Sequence, residues 1–92
     1  MMSDMVRARV EISGRVQGVY FRQSTAVEAQ AAGVTGWVRN LEDGDVEAAF
    51  EGSRAAVEAM LDYMAAGPAH AKVDSVRTEW EPAEGEIAFS IR

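Results

Sequence analysis

Residues 6–13 alternate strictly. Val6, Ala8, Val10 and Ile12 are apolar, and Arg7, Arg9, Glu11 and Ser13 are polar. Successive side chains of a strand point to opposite faces, so this stretch predicts a strand with one buried face and one wet face. The asymmetry recurs. Val46, Ala48 and Phe50 alternate with Glu47, Ala49 and Glu51. Asp43-Gly44 stands between that run and Thr35–Leu41, which contains Trp37 and Val38, and reads as the turn of a hairpin. Between Ser53 and Gly67, Val57, Met60, Leu61 and Met64 fall at i, i+3, i+4 and i+7, with Glu58 and Asp62 turned away. That is a helix with one apolar stripe. One-faced strands and one-striped helices reach a dry interior only by covering each other, in two layers.

The remaining elements fit between these. From about Phe21 to Ala32 helix formers run without Pro or Gly, and Gly33 is placed to close the helix in a left-handed cap. Gly52 breaks the strand before it, and Ser53 is a good N-cap for the second helix, which Gly67-Pro68 stops. Val73, Val76, Thr78 and Trp80 suggest a further strand of less regular pattern. Glu81 to Gly85 reads as a polar turn, and Ile87, Phe89 and Ile91 alternate as a final strand. The predicted fold is α+β: a two-layer ferredoxin-like βαββαβ sandwich, an antiparallel sheet with both helices on one face and an extra C-terminal strand. With no linker, repeat or low-complexity segment, residues 1–92 are expected to form a single domain. Such an arrangement hosts many functions and specifies none.

Composition removes several classes. There is no cysteine, so disulfides and thiolate metal sites are out, and a lone histidine, His70, supplies no histidine cluster for a metal. His70 reads as a surface loop residue. No apolar run approaches the roughly 20 residues that span a bilayer, and the start at Met1-Met2-Ser3-Asp4 shows no signal peptide. The expectation is a cytoplasmic protein without a membrane partner. A net charge of −6 argues against nucleic acid as a partner. The charge is unevenly spread, however. Residues 1–41 hold five arginines against three acids, and residues 42–92 hold four basic residues against twelve acids. A small anion could be held locally where a long polyanion would be repelled.

The stretch that could hold one is Gly14-Arg15-Val16-Gln17-Gly18-Val19-Tyr20-Phe21-Arg22, joining the first strand to the first helix. Its glycines permit positive φ and close backbone approach to a ligand. Successive N–H groups can converge on an anion, and the helix start adds unpaired N–H groups and partial positive charge. Arg22 falls in the first helical turn, where a cation opposes the macrodipole by roughly 0.3–1 kcal/mol. Either it is a solvent-exposed arginine tolerating a small penalty, or it receives an anion from outside. No acid lies between Gly14 and Arg22. A guanidinium fork can hold two phosphate oxygens at once.

These nine residues resemble the signature loop of the acylphosphatases. Gly36-Trp37-Val38-Arg39-Asn40-Leu41-Glu42-Asp43-Gly44-Asp45-Val46-Glu47 resembles that family's second signature. The similarity continues through Phe50-Glu51-Gly52, Gly67-Pro68 and Phe89-Ser90-Ile91-Arg92, from about Val6 to the end. The resemblance implies hydrolysis of a small acyl phosphate to a carboxylate and inorganic phosphate, without metal or cofactor. Phosphate is then both product and competitive inhibitor. It implies that the backbone of Arg15, Val16, Gln17, Gly18, Val19 and Tyr20 supplies N–H groups to the phosphate, that Arg22 binds it, and that Asn40 orients the attacking water. Tyr20 stands where an aromatic is usual and would shape the mouth of the site.

The residue types suit that chemistry. The substrate brings its own good leaving group, so little general acid help is required. What remains is to neutralise phosphoryl charge and position water. An asparagine amide both donates and accepts, as water positioning requires; by spacing alone Asn40 could equally be a turn-forming residue near Asp43-Gly44. Arg15 and Arg39 read as solvated, Met60 and Met64 as core, Trp37 and Trp80 as packing, and the acids from Glu42 to Glu51 as the solvent face of a hairpin rather than metal ligands. Two other functions stay open: an anion-binding or regulatory module without turnover, and an RNA-binding sheet. Acidity and the lack of outward aromatic platforms weigh against the second. A monomer is expected.

Overall fold

The computed structural model describes residues 5–92. The reading of the chain start as free of a signal peptide lies outside the described residues. The elements are β1 (Val6–Arg15), α1 (Phe21–Ala32), β2 (Thr35–Asn40), β3 (Val46–Gly52), α2 (Arg54–Ala66), β4 (Lys72–Glu81) and β5 (Phe89–Ile91). They form one five-stranded sheet in the order β4-β1-β3-β2-β5. The predicted antiparallel pairing holds for β1 with β3, β1 with β4 and β2 with β3. The extra strand departs from it, because β5 lies parallel to β2 and makes the sheet mixed.

Alternation sorts the faces as expected. Ala8, Val10, Ile12, Val38, Val46, Ala48 and Phe50 point to the helices and join Phe21, Ala29, Val57, Met60 and Met64 in one buried cluster. Phe89 on β5 stacks on Phe50 at 5.8 Å, which ties the last strand to this core. Gly36 on β2 has φ 134°, and a methyl there would run into the Ala49 carbonyl of β3. Ser53 caps α2, its Oγ accepting from the Ala56 N–H at 3.2 Å.

Three local expectations change. Gly14 does not end β1; the strand bulges between Ser13 and Gly14 and runs on to Arg15 against β4. Gly14 is required there because its φ is 126° and a side chain would strike the Lys72 carbonyl, a packing role within the sheet. Ile87 does not begin the last strand. It stands 96% exposed in the segment before it, so its alternation with Phe89 was accidental.

Third, Glu51 is no solvent-face acid: it is 1% exposed. Arg7, also buried, donates to it at 2.7 Å and reaches Glu81 at 2.7 Å and Glu86 at 3.3 Å. Glu51 further accepts the backbone N–H groups of Glu84, Gly85 and Glu86 at 2.7, 3.1 and 3.1 Å. The segment before β5 thus folds over the face expected to be wet. Burial pushes the Glu51 pKa up, but the N–H donors and Arg7 together hold it below the usual carboxylate value. Burial likewise opposes the Arg7 charge, and its carboxylate partners more than offset that, raising its pKa.

Candidate active site

The connection from β1 to α1 is pinned from two sides. Val16 is buried in the core. The Gln17 Nε2 donates to the Leu41 carbonyl at 2.8 Å and to the Asp45 carbonyl at 2.9 Å, stapling the connection to the β2–β3 hairpin. Gly18 has φ 76° and open space where a side chain would stand. Tyr20 has φ 61°, the one described non-glycine residue with positive φ. Left-handed residues two apart coil a backbone into the concave form in which N–H groups face one point.

The helix that follows is left open at its start. Tyr20 holds the N-cap position without a side-chain cap, and no acid occupies the first turn. The first ladder bond at this end runs from the Ser24 N–H to the Tyr20 carbonyl at 3.0 Å. The N–H groups preceding it at the helix start are the donors a helix leaves over for a cap or an anion.

Val16, Gln17, Gly18, Tyr20, Phe21, Arg22, Gln23 and Asn40 line a pocket of about 270 Å³. Six residues singled out from the sequence therefore surround one space: Val16, Gln17, Gly18, Tyr20, Arg22 and Asn40. Arg15 and Val19 do not line it; Arg15 is exposed at the end of β1, and Val19 packs partly buried on the core. Gln17 carries a task invisible in the sequence, since its side chain is committed to the hairpin. Phe21 and Gln23 were missed because nothing marks them beyond adjacency to Arg22.

The arginines divide by whether a side-chain carboxylate pairs with them, and among the described residues Arg15 and Arg92 share with Arg22 the lack of one. Arg7, Arg9, Arg39, Arg54 and Arg77 each have a carboxylate oxygen within 4.0 Å. No such ion pair involves Arg22 among the described residues. Its Nη1 donates to the main-chain oxygen of Arg92 at 3.1 Å. Arg92 is itself held by its N–H on the Val38 carbonyl at 2.8 Å and by its guanidinium 4.7 Å over the Trp37 ring. The fork is thus oriented from one side by a main-chain oxygen. Asn40 ends β2 opposite Val46, half-buried, and its amide has no protein partner among the described residues. The lining contains no carboxylate and no histidine.

Outside the pocket, Glu11, Asp43 and Asp45 bring carboxylate oxygens within 4.8 Å of one another. Hydrogen bonding to Asp45 and partial burial raise the Glu11 pKa against the pull of Arg77. The open sheet face carries ion pairs such as Arg39–Glu47 and Arg77–Glu11, with Trp37 covered by arginines, and offers no stacking platform for RNA.

Comparison with known proteins agrees in sequence and in fold. The Acylphosphatase family model matches residues 8–91. The chain is 58% identical over 92 residues to the acylphosphatase of Anaeromyxobacter dehalogenans, covering 99% of each. Its fold superposes on a solved acylphosphatase from Coxiella burnetii with a TM-score of 0.93 at 36% identity, covering 97% of this chain and 94% of that one. The structure of the Bacillus subtilis acylphosphatase gives 0.91 at 34% identity, covering 95% and 98%.

Proposed function

The chain belongs to the acylphosphatase family, and from that premise we propose that it hydrolyses the carboxyl–phosphate bond of a small acyl phosphate in the Arg22–Asn40 pocket. Backbone N–H groups of residues 15–20 and the Arg22 guanidinium take up the charge of the phosphoryl oxygens. Asn40, with both donor and acceptor free, holds a water against phosphorus. The water oxygen bonds to phosphorus as the bond from phosphorus to the acyl oxygen breaks. The carboxylate leaves with that bond's electron pair, and a phosphoryl oxygen of the substrate takes the water's proton. Neither a protein base nor a metal takes part in this scheme. The described residues contain no helix long and apolar enough to cross a membrane, and we place the activity in the cytoplasm, carried by a monomer acting as one domain.

The observation that supports this reading is the condition of Arg22: a cation on a pocket wall, aimed by the Arg92 main-chain oxygen, with no Asp or Glu side chain paired to it among the described residues of a chain of net charge −6. The purified chain is expected to release phosphate from acetyl phosphate in EDTA, with inorganic phosphate inhibiting competitively. Arg22→Ala is expected to lose most of that activity. Phosphate binding without turnover by the native chain would leave only an anion-binding module.

A further inference from the structure

One edge of the sheet is left open. β4 is the outer strand on that side, paired with β1, and among the described residues no strand pairs with its other side. An outer strand presents a row of unpaired N–H and C=O groups to any chain that can match it. The two ends of β4 are guarded. Lys72 and the bulge opposite Ser13 and Gly14 stand at its start, and Pro82 follows its last residue. Lysines, bulges and prolines are devices that block edge pairing. Residues 75–81, between them, hold no lysine, bulge or proline.

What the middle carries is matched to itself. On the helix side Val76 is 41% and Trp80 46% exposed, with Thr78 exposed between them. On the other side Arg77 and Glu79 stand opposite Glu11 and Arg9 of β1. Arg77 pairs with Glu11 at 2.8 Å. Arg9 turns instead to Glu47 and Glu81, and Glu79 has no ion pair among the described residues.

Symmetry limits the ways a second copy can pair here. Antiparallel neighbours of identical sequence are related by a twofold axis normal to the sheet, so residues facing each other have the same parity and lie on the same side. The axis then passes through one residue of β4, and charge selects which. Through Arg77 or Glu79 it sets like charges against each other. Through Val76 it sets Arg77 against Ser75 and Trp80 against Lys72. Through Thr78 it sets Arg77 against the second copy's Glu79, and Glu79 against the second copy's Arg77. Val76 and Trp80 then meet each other across the axis, and Thr78 meets its own copy. Opposite-charge, aromatic–β-branched and threonine pairs are the cross-strand contacts that stabilise an antiparallel ladder. The charges also alternate in sign across the axis: Arg9 and Glu79 of one copy, then Arg77 and Glu11 of the other.

We propose that the middle of β4 is a docking surface for a second copy of this chain, which pairs antiparallel about Thr78 and joins the two sheets edge to edge. Each copy keeps its whole pocket, because no lining residue lies on β4. Residues 75–81 make a small interface, of the transient class. At assay concentrations the catalytic unit is therefore still the single chain.

The test is sedimentation velocity of the native chain, Arg77→Glu and Glu79→Arg, with thermal midpoints recorded to show that all three fold. The native chain is expected to pass from monomer to dimer between about 10 µM and 1 mM. Each single variant sets like charges against each other on both sides of the axis and is expected to dimerise roughly 10-fold more weakly. The equimolar mixture is expected to regain native association, because Arg77→Glu carries acids at both positions and Glu79→Arg carries bases at both. A native chain still monomeric at the top of that range overturns the docking surface. Single variants that dimerise like the native chain, or a mixture that stays monomeric, overturn the pairing about Thr78.

Discussion

Asn40→Ala separates chemistry from binding and from folding in one protein. Asn40 contributes no side-chain hydrogen bond to the described structure and lies half-buried at the end of β2. Its truncation therefore removes no fold contact beyond a few van der Waals neighbours, and stability should stay within about 0.5 kcal/mol. For a chain of this size that is a thermal midpoint shift of no more than ~4 °C. Phosphate affinity should also persist, because Arg22 and the loop amides remain. The inhibition constant of inorganic phosphate should move less than about twofold. The rate should not persist. Losing a preorganised polar group at the reacting centre costs on the order of 10²–10³ in kcat, about 2.7–4 kcal/mol. The assay is steady-state hydrolysis of acetyl phosphate alongside phosphate inhibition and thermal unfolding. A raised KM and a weakened phosphate affinity with kcat unchanged would make Asn40 a binding residue and refute water positioning. A midpoint collapse would make it a turn residue, the other reading its sequence position allows.

Three further outcomes follow from the fold. Gln17→Ala removes two hydrogen bonds that hold the loop to the hairpin, so it should cost roughly 1–3 kcal/mol of stability and raise KM for acetyl phosphate more than it lowers kcat; an unchanged KM would mean the loop holds its shape unaided. Glu51→Ala strips a buried partner from Arg7 and the acceptor from three N–H groups. The expected loss is about 3–5 kcal/mol, out of roughly 5–14 for a chain of this length, read as a fall in urea midpoint; a loss under about 1 kcal/mol would mean Glu81 and Glu86 carry the Arg7 charge alone. Because the folded-state pKa of Glu51 is depressed, its contribution is complete above the ordinary value of 4.5 and lost as pH falls below it toward the folded value. The urea midpoint of the native chain should then fall more steeply than that of Glu51→Gln in that acid window, and parallel curves would contradict the assignment.

Periodicity exposed most of the fold because most of it is periodic. The β1 alternation, the α2 stripe and the Asp43-Gly44 turn each have a local cause, and local causes are written in neighbouring residues. What stayed hidden was set by contacts between distant ones. Glu51 alternates like a solvent-facing residue, and it is buried because residues 84–86 return to cover it, 33 to 35 positions later. Ile87 alternates like a strand residue and is exposed because the pairing with β2 begins only at Phe89. Gly14 looked like part of the ligand loop, and its cause is the Lys72 carbonyl across the β4 pairing.

The same division between local and distant causes runs through the site, at Arg22. In the sequence Arg22 is a cation on the wrong end of a helix. A cation at a helix start does not by itself point to a ligand, since α2 also opens with an arginine. Arg54 sits 4.5 Å over the Trp80 ring and pairs with Glu58 at 3.6 Å, so a cation in a first turn can serve packing and nothing more. The two helix starts differ in what surrounds the charge. α2 has its Ser53 cap and a carboxylate for its arginine. α1 has no side-chain cap, no acid in its first turn, and an arginine that donates to the Arg92 main-chain oxygen. A side-chain cap and a side-chain carboxylate partner are supplied at the start of α2, and among the described residues neither is present at the start of α1. A dianionic phosphate would provide at α1 what Ser53 and Glu58 provide at α2. The absence of an acid near Arg22 was legible in the sequence. That no Asp or Glu side chain among the described residues folds back to fill its place, where residues 84–86 fold back over Glu51, required the structure.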